Sequence, residues 1–437
     1  MRILFLVSCL FLSFTTIAKA PKFSKKRLIV KFRQNKVPHE LNSKLRLRRL
    51  FPNVFIATGK SINAMKKILS KVDDVEYIEK DYFGSKNKFK NIKRSYSQLQ
   101  FSPETDSFFK DPMAKKQWHL KPAKSFGTSI EDAYKKRSSD EKNPLIIAIV
   151  DTGIDYTHQD LKDKIWINKK EIPNNKIDDD DNGYIDDYYG INTLIRDAEG
   201  KATTDPMDTH GHGTHVSGII GATQNNGLGV AGIADKVKLM GIRTVPGRGD
   251  EKDVDVIEAF IYAAKQGAKI INCSFGKNHN EGGKAVQEAI DFIGKEYGVL
   301  VVAASGNSRR DIDSRPVYPA SFNNENLLVV ASTSKGNYLS YFSNYGARNV
   351  DLAAPGSSIF STYPGNRYAS LSGTSMASPV VAGIAGEVLS RHSFLNVQDL
   401  KEALLSSVHE IESFKGKLVS SGRIDLEQAL LKVESSH

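Results

Sequence analysis

Four short runs dominated by apolar residues recur through the later two-thirds of the chain: Leu145–Val150, Lys269–Ile271, Val299–Ala304 and Leu327–Ala331. A strand apolar along its whole length, without the alternation of a half-exposed one, has to be covered on both faces. Between the runs lie segments of helical spacing. In 254–266 the residues Val254, Ile257, Phe260, Ile261 and Ala264 share one face, and 285–296 reads the same way. Strand alternating with helix predicts a doubly wound, mainly parallel α/β sheet with helices on either side. In such sheets the working residues gather beyond the carboxyl ends of the strands. Asp151 directly follows the first run.

The N-terminal part has a different character. Met1–Ala20 places Arg2 before an apolar stretch and ends on Ala18-Lys19-Ala20, the pattern of a secretory signal peptide. At about 15 residues the stretch is short for a membrane span, which takes roughly 20. A strand at 27–33, helical spacing of Ile62, Met65, Ile68 and Leu69, and alternation over Val75–Glu79 predict a small α+β domain over 21–83. Residues 84–110, rich in Lys, Ser, Asn and Gln, read as an exposed, cleavable linker. The net charge of +11 is unevenly divided: residues 21–110 hold 22 Lys+Arg against 8 Asp+Glu, and residues 111–437 hold 37 against 42. A basic leader can mean nucleic-acid binding, but a leader that meets an acidic body is the simpler reading. Of two cysteines, Cys9 leaves with the signal, so Cys273 has no partner for a disulfide.

Three clusters carry chemistry. Asp151 sits in Ile149-Val150-Asp151-Thr152-Gly153-Ile154-Asp155, a carboxylate at a strand end followed by a glycine turn. His212 opens His212-Gly213-Thr214-His215-Val216-Ser217-Gly218, and Ser375 lies in Ser372-Gly373-Thr374-Ser375-Met376-Ala377-Ser378-Pro379 ahead of a helical pattern. A strand-end Asp, a helix-start His and an N-capping Ser are each common alone. In the order Asp, His, Ser they make a nucleophile, a base for its proton, and a carboxylate that fixes the base's tautomer.

With these motifs the chain resembles the subtilisin-like serine proteases (subtilases), nearest in its loops to their thermitase-like branch and made as a preproprotein. The resemblance covers nearly all of 21–431 and implies a three-layer α/β/α peptidase domain over 111–437, preceded by a ferredoxin-like, inhibitor-like propeptide. It makes Asp151 the orienting acid, His212 the base, Ser375 the nucleophile and Asn307, in Ser305-Gly306-Asn307, a donor to the oxyanion. It implies that substrate backbone pairs with Ser274-Phe275-Gly276, and that the specificity site runs between 274–276 and 304–306, the latter with Ser305-Gly306, with Val317 at its base, shallow and suited to small or medium apolar side chains. A second pairing edge is expected near Gly247-Arg248-Gly249.

The resemblance also implies structural calcium. Asp111, Asp160 and Asn226 stand where thermitase-like enzymes take side-chain ligands. Independently, Asp178, Asp180 and Asn182 ahead of Gly183 imitate the first three ligand positions of an EF-hand loop, whose twelfth-position acid is here Tyr189. The expected partners are protein or peptide substrates and the chain's own propeptide, with no nucleic acid, no membrane after signal removal, and a monomeric, secreted product (extracellular or periplasmic). A catalytically silent subtilase-like binding protein is the alternative; loss of a triad or oxyanion residue would mark one, and none is lost.

Overall fold

The computed structural model describes residues 22–41, 43–83, 107–136, 144–247, 249, 251–278 and 283–435. The expected signal peptide, the residues 84–106 of the expected linker, and Arg248 lie outside them.

The N-terminal domain has strands β1 (Lys22–Phe32), β2 (Arg46–Phe51), β3 (Val54–Thr58) and β4 (Val75–Phe83), with helix α1 (Ile62–Leu69) between the last two. The strands form an antiparallel sheet in the order β2-β3-β1-β4. Ser61 caps α1 by accepting the Ala64 amide at 3.2 Å. Alternation sorts the side chains of β1: Leu28, Val30 and Phe32 pack with Met65 and Leu69 of α1, while Ile29 points out of the opposite face. Where a ferredoxin-like pattern would place its first helix there is only a 3-10 turn, His39–Leu41. Pro38 precedes it and Leu41 is its one buried residue, too little apolar surface to hold a longer helix.

Residues 107–110 already pack on the main domain, with Phe109 buried. That domain runs through α2 (Ile130–Lys136), β5 (Leu145–Asp151), β6 (Gly190–Arg196), β7 (Ala202–Thr204), α3 (His212–Gly221), β8 (Val237–Arg243), α4 (Asp253–Lys265) and β9 (Ala268–Cys273). It continues with α5 (Lys284–Tyr297), β10 (Leu300–Ala304), β11 (Leu327–Ser334), β12 (Tyr338–Leu339), β13 (Leu352–Pro355) and the hairpin β14 (Ile359–Tyr363) and β15 (Arg367–Leu371). It closes with α6 (Thr374–Arg391), α7 (Val397–Leu405), β16 (Val408–Glu410), β17 (Gly422–Ile424) and α8 (Leu426–Ser435). The main sheet has the order β16-β17-β13-β11-β10-β9-β5-β8-β6-β7 and is parallel from β17 to β6.

Both faces of the sheet are covered, as apolar runs require. Ile147 and Ile149 of β5 face a core with α3, α6, α7 and α8, while Ala148 and Val150 face α4 and α5. The three layers and the parallel sheet agree with the expected α/β/α class. Strand β17 has only three residues, too few to show a period in the sequence.

The free face of the N-terminal sheet lies on α4 and α5. Ile29, Leu50, Phe51, Val54 and Ile56 join the same core as Val256, Phe260 and Ile261. Arg48 makes a two-pronged pair with Glu258 of α4 at 3.2 and 2.9 Å, and the Tyr77 hydroxyl donates to Glu288 of α5 at 2.9 Å. The expected match between basic leader and acidic body is thus made of specific pairs.

Candidate active site

Asp151, His212 and Ser375 come from three elements whose ends meet above the sheet. Asp151 is the last residue of β5, and its carbonyl accepts the Thr244 and Val245 amides at 2.8 and 2.9 Å as β8 ends beside it. His212 is the first residue of α3, after Gly211 at φ 103°, a left-handed turn that favours glycine. A Cβ at residue 213 would stand 2.1 Å from the Gly153 carbonyl, so Gly213 is what lets α3 approach the turn after Asp151. Ser375 is the second residue of α6, where backbone amides point outward at a positive helix end.

The Asp151 Oδ1 lies 2.7 Å from His212 Nδ1 and also accepts the Thr152 amide at 2.7 Å. Burial works against an imidazolium here, but the Asp151 charge and hydrogen bond, with the charge of Asp208, prevail and hold His212 above the ordinary histidine value. With Nδ1 engaged, Nε2 is the nitrogen left for a substrate-side proton; tautomers follow from this network. The Ser375 hydroxyl donates to the Ser274 carbonyl at 3.0 Å rather than to His212. Such contacts tighten in enzymes when substrate arrives. The return bond, Ser274 Oγ to the Ser375 carbonyl at 3.0 Å, ties the nucleophile's helix to the expected substrate edge.

Asn307 follows β10 through Ser305 and Gly306. Its Oδ1 accepts the Thr374 amide at 2.8 Å and the Thr374 hydroxyl at 2.9 Å, which leaves its Nδ2 as a donor. A Cβ placed on Gly373 would lie 3.4 Å from that Nδ2 and 3.6 Å from the Ser375 amide nitrogen. The Asn307 side-chain nitrogen and the Ser375 amide nitrogen thus lie near one point at the start of α6.

Ser274, Phe275 and Gly276 follow the end of β9, beside Ser305 and Gly306 after β10. Val317 closes the gap between them: its Cγ1 is 3.1 Å from where a Cβ of residue 276 would stand and 3.8 Å from that of residue 306. Lys277 and Tyr318 exchange backbone hydrogen bonds at 2.9 and 2.8 Å and hold Val317 there. The second histidine of the motif, His215, is buried, its Nε2 between the Ile359 and Ala369 carbonyls at 3.1 and 3.0 Å. Burial pushes it down to about 3, so it ties α3 to the β14–β15 hairpin as a neutral ring.

Sequence reasoning missed the network beneath Ser375. Buried Asn272 donates to Ser274 Oγ at 2.9 Å and accepts the Ser378 hydroxyl at 2.8 Å, joining β9 to the first turn of α6. The only signal was Asn272, a polar residue at the end of an apolar run.

Both sets of expected metal ligands can be placed. Asp111 accepts the Asn225 and Asn226 amides at 2.8 and 3.0 Å, and Asp160 accepts the Asn226 side-chain amide at 2.8 Å. Burial raises the carboxyls of Asp111 and Asp160, and the Asp111 charge adds to the effect on Asp160. In the acidic insert, oxygens of Asp178 and Asp180 gather with one of Glu171, all within 4.8 Å of one another. Asn182 instead donates to Asp187 at 3.0 Å. Glu171 stands outside the twelve-residue pattern, which is why spacing did not find it. Both donor sets are all-oxygen and rich in carboxylate, which suits a hard divalent cation.

A parallel α/β sheet with a carboxylate, an imidazole and a serine at its carboxyl edge, and paired N–H donors beside the serine, defines a hydrolase-like α/β protein of the Asp-His-Ser order. Residues 142–425 match the Subtilase family, and the chain belongs to it. Thermitase of Thermoactinomyces vulgaris is 36% identical over 284 residues, 65% of this chain and 88% of thermitase. Subtilisin-like protease 1 of Plasmodium berghei (strain Anka) is 34% identical over 394 residues, 86% of this chain and 62% of that protein. The chain spans between 43% and 62% of the lengths of the first curated relatives it matches. Among solved structures, fervidolysin of Fervidobacterium pennivorans shares the fold with a TM-score of 0.69 at 21% identity, over 95% of this chain and 62% of that one. An epidermin leader peptide processing serine protease of Staphylococcus aureus does so at 0.67 and 22%, over 93% of this chain and 99% of that one.

Proposed function

We propose that the chain is a secreted serine endopeptidase made as a zymogen, with Asp151, His212, Ser375 and Asn307 as its catalytic residues. The observation that carries this reading is the 2.7 Å bond of Asp151 to His212 Nδ1 beside a serine whose own amide and Asn307 Nδ2 share one space. His212 Nε2 takes the Ser375 proton as Oγ bonds to the scissile carbonyl carbon. The carbonyl oxygen becomes an oxyanion held by Asn307 Nδ2 and the Ser375 amide. Collapse breaks the C–N bond, His212 gives its proton to the leaving amine, and an acyl-enzyme remains. Water, deprotonated by the same imidazole, repeats the sequence and frees the acid. A fluorophosphonate probe tests the nucleophile directly: one adduct on the Ser375 peptide is expected, none after His212→Ala, and a mature protein that takes up no probe would support the silent relative instead.

Val317, 4% exposed and wedged between the two edges, makes the first specificity site shallow. Val317→Gly is expected to raise kcat/KM for peptides with Phe before the scissile bond about tenfold relative to those with Ala, since each buried methylene is worth roughly 1 kcal/mol. A peptide library profile unchanged by the substitution would contradict this placement.

Residues 21–83 act as the inhibitory propeptide. Helices α4 and α5 begin at Lys252 and Gly283 with no side-chain cap of their own. Strand β4 supplies both: Asp81 accepts the Val254 amide and Glu79 the Ala285 amide, each at 3.2 Å. Burial, with Asp253 adding repulsion, pushes Glu79 up to about 8, and burial pushes Asp81 up to about 6 against the pull of Arg27. Raised carboxyls bind protons more tightly docked than free. Their contribution to docking is therefore complete below the ordinary carboxylate range and is lost as pH rises through about 6 and then about 8. The cleaved propeptide is expected to co-elute with the body at pH 6 and to separate at pH 9. Co-elution equal at both values would show that these two carboxyls do not govern docking.

Calcium is the proposed structural cofactor. Asp111, Asp160 and Asn226 would hold one ion, and Asp178, Asp180 and Glu171 a second, with Asn182 serving the loop through Asp187. A bound cation would offset repulsion within each set and stabilise the native state by mass action. Chelation is expected to lower the melting temperature by several degrees, roughly what a loss of about 1–3 kcal/mol produces. Excess calcium should restore it, and magnesium less so. No change on chelation would remove both sites.

A further inference from the structure

Asp208 is a buried carboxyl that the proposed chemistry does not use. The residue is 4% exposed and precedes α3. Its Oδ1 accepts the His210 amide at 2.8 Å, the Gly211 amide at 2.9 Å and the Thr152 hydroxyl at 3.0 Å. Its Oδ2 accepts the Thr214 amide at 3.0 Å and the Thr214 hydroxyl at 2.7 Å. Arg243 of β8 does not neutralise it; its guanidinium donates to the Met207 carbonyl and the Thr209 hydroxyl. Thr152 completes a bridge, because its hydroxyl also accepts the Gly213 amide at 2.9 Å.

These bonds join the two segments whose separation fixes the Asp151–His212 contact. Thr152 is the neighbour of Asp151, and residues 210, 211, 213 and 214 flank His212 on both sides. A carboxylate that accepts from five donors at the start of a helix reinforces the first turn. The positive charge that His212 gains on taking the serine proton forms close to it.

We propose that Asp208 is a second positioning carboxylate for this reaction, clamping His212 to the Asp151 turn and adding negative charge that favours the imidazolium. This rests on His212 being the base. Among the described residues, Asp151 and Asp208 are the two charges that raise the His212 ring. Asp151 faces the ring from β5. His210, exposed, has its ring centroid 6.4 Å from that of His212. His215 is neutral, the Cys273 thiol on β9 is pushed up by burial and stays protonated, and Glu251 bears on Cys273 together with Asp151. The charge of Asp208 is one of the causes that raise His212, after opposing burial and the larger influence of Asp151.

The test is kcat and KM against pH on a neutral peptide for the mature enzyme, in a His210→Gln background so that the acid limb reports His212. Asp208→Asn is expected to lower kcat by about tenfold to a hundredfold with KM little changed, since small misplacements of a base have effects of that order. Its acid limb should move to lower pH by about half a unit or more, the effect of removing one nearby charge. Asp208→Glu, which keeps the charge, should hold the limb near its original position. A folded Asp208→Asn enzyme whose acid limb has not moved would overturn the proposal. If Asp208→Asn does not fold, Thr152→Val takes its place: kcat should fall while the limb stays, and an unchanged kcat would overturn the clamp. His212→Ala runs alongside. If it is as active as its parent, the triad itself is wrong; if it is dead while Asp208→Asn is indistinguishable from its parent, only the role of Asp208 is.

Discussion

Asp151→Asn should lower kcat about ten-thousandfold, the loss known for this exchange in another Asp-His-Ser arrangement. The reason lies in one bond. Asp151 Oδ1 accepts the proton of His212 Nδ1 at 2.7 Å and so leaves Nε2 bare to take the Ser375 proton. An asparagine can turn its amide N–H toward Nδ1, which then becomes the acceptor and leaves Nε2 protonated, unable to act as base. Asp151 also ends β5 through backbone bonds that asparagine would keep, so the fold should survive. The sign of the pH effect follows as well. Asp151 is a principal cause of the raised proton affinity of His212, so whatever activity remains should have its acid limb at lower pH than the parent. Initial rates from pH 5 to 9, with a melting curve for each variant, check both points. A loss below tenfold in a folded protein would mean that Asp151 does not set the tautomer.

Asn307→Ala should lower kcat by about 10²–10³ with KM nearly unchanged, because the bond it makes exists only once the oxyanion has formed. That range was measured on an oxyanion asparagine in subtilisin, so it is inherited through the family. Asn307 has two jobs that a second substitution separates. Its Oδ1 braces the Thr374 amide and hydroxyl, while its Nδ2 faces the space shared with the Ser375 amide. Asn307→Asp keeps the acceptor for Thr374 but places negative charge where the oxyanion forms. It should be at least as inactive as Asn307→Ala. If Asn307→Asp retained most of its activity, the brace rather than the donor would be what matters.

The parts of the fold legible in the sequence were those where burial on both faces leaves a continuous apolar run. Ile147 and Ile149 serve one layer and Ala148 and Val150 the other, so β5 has no polar residue before Asp151. The helices at 254–266 and 285–296 were legible from the spacing of their apolar residues, but that spacing did not show that α4 is buried all round from Asp253 to Ala264, under the N-terminal sheet as well as against the main one. Short elements were not legible. Strand β17, with fully buried Arg423 at its centre, presents three residues and no period. Its guanidinium is satisfied by the Gly127 and Ala123 carbonyls at 3.0 and 2.9 Å, partners some three hundred positions away.

The same divide runs through the candidate site. Asp151, His212, Ser375 and Asn307 could be proposed from the sequence because each lies in a motif with a local spacing. Glu171, Asp208 and Asn272 were not: Glu171 lies outside the spacing of the acidic insert, Asn272 meets Ser378 and Asp208 meets Thr152 only across the fold, and the local bonds of Asp208 to 210, 211 and 214 are those of any helix-start carboxylate. The caps that Glu79 and Asp81 place on α4 and α5 belong with them: a helix capped from another domain carries no local sign of its cap.

The most direct test of the account is to express residues 21–437 and the same chain with Ser375→Ala, and to follow both by intact mass and N-terminal sequencing. The account predicts that the parent sheds a fragment of the leader, cut after residue 80 and before residue 111, while Ser375→Ala stays whole. Identical cutting of both, or a parent that stays whole yet takes up no fluorophosphonate on Ser375, would contradict it.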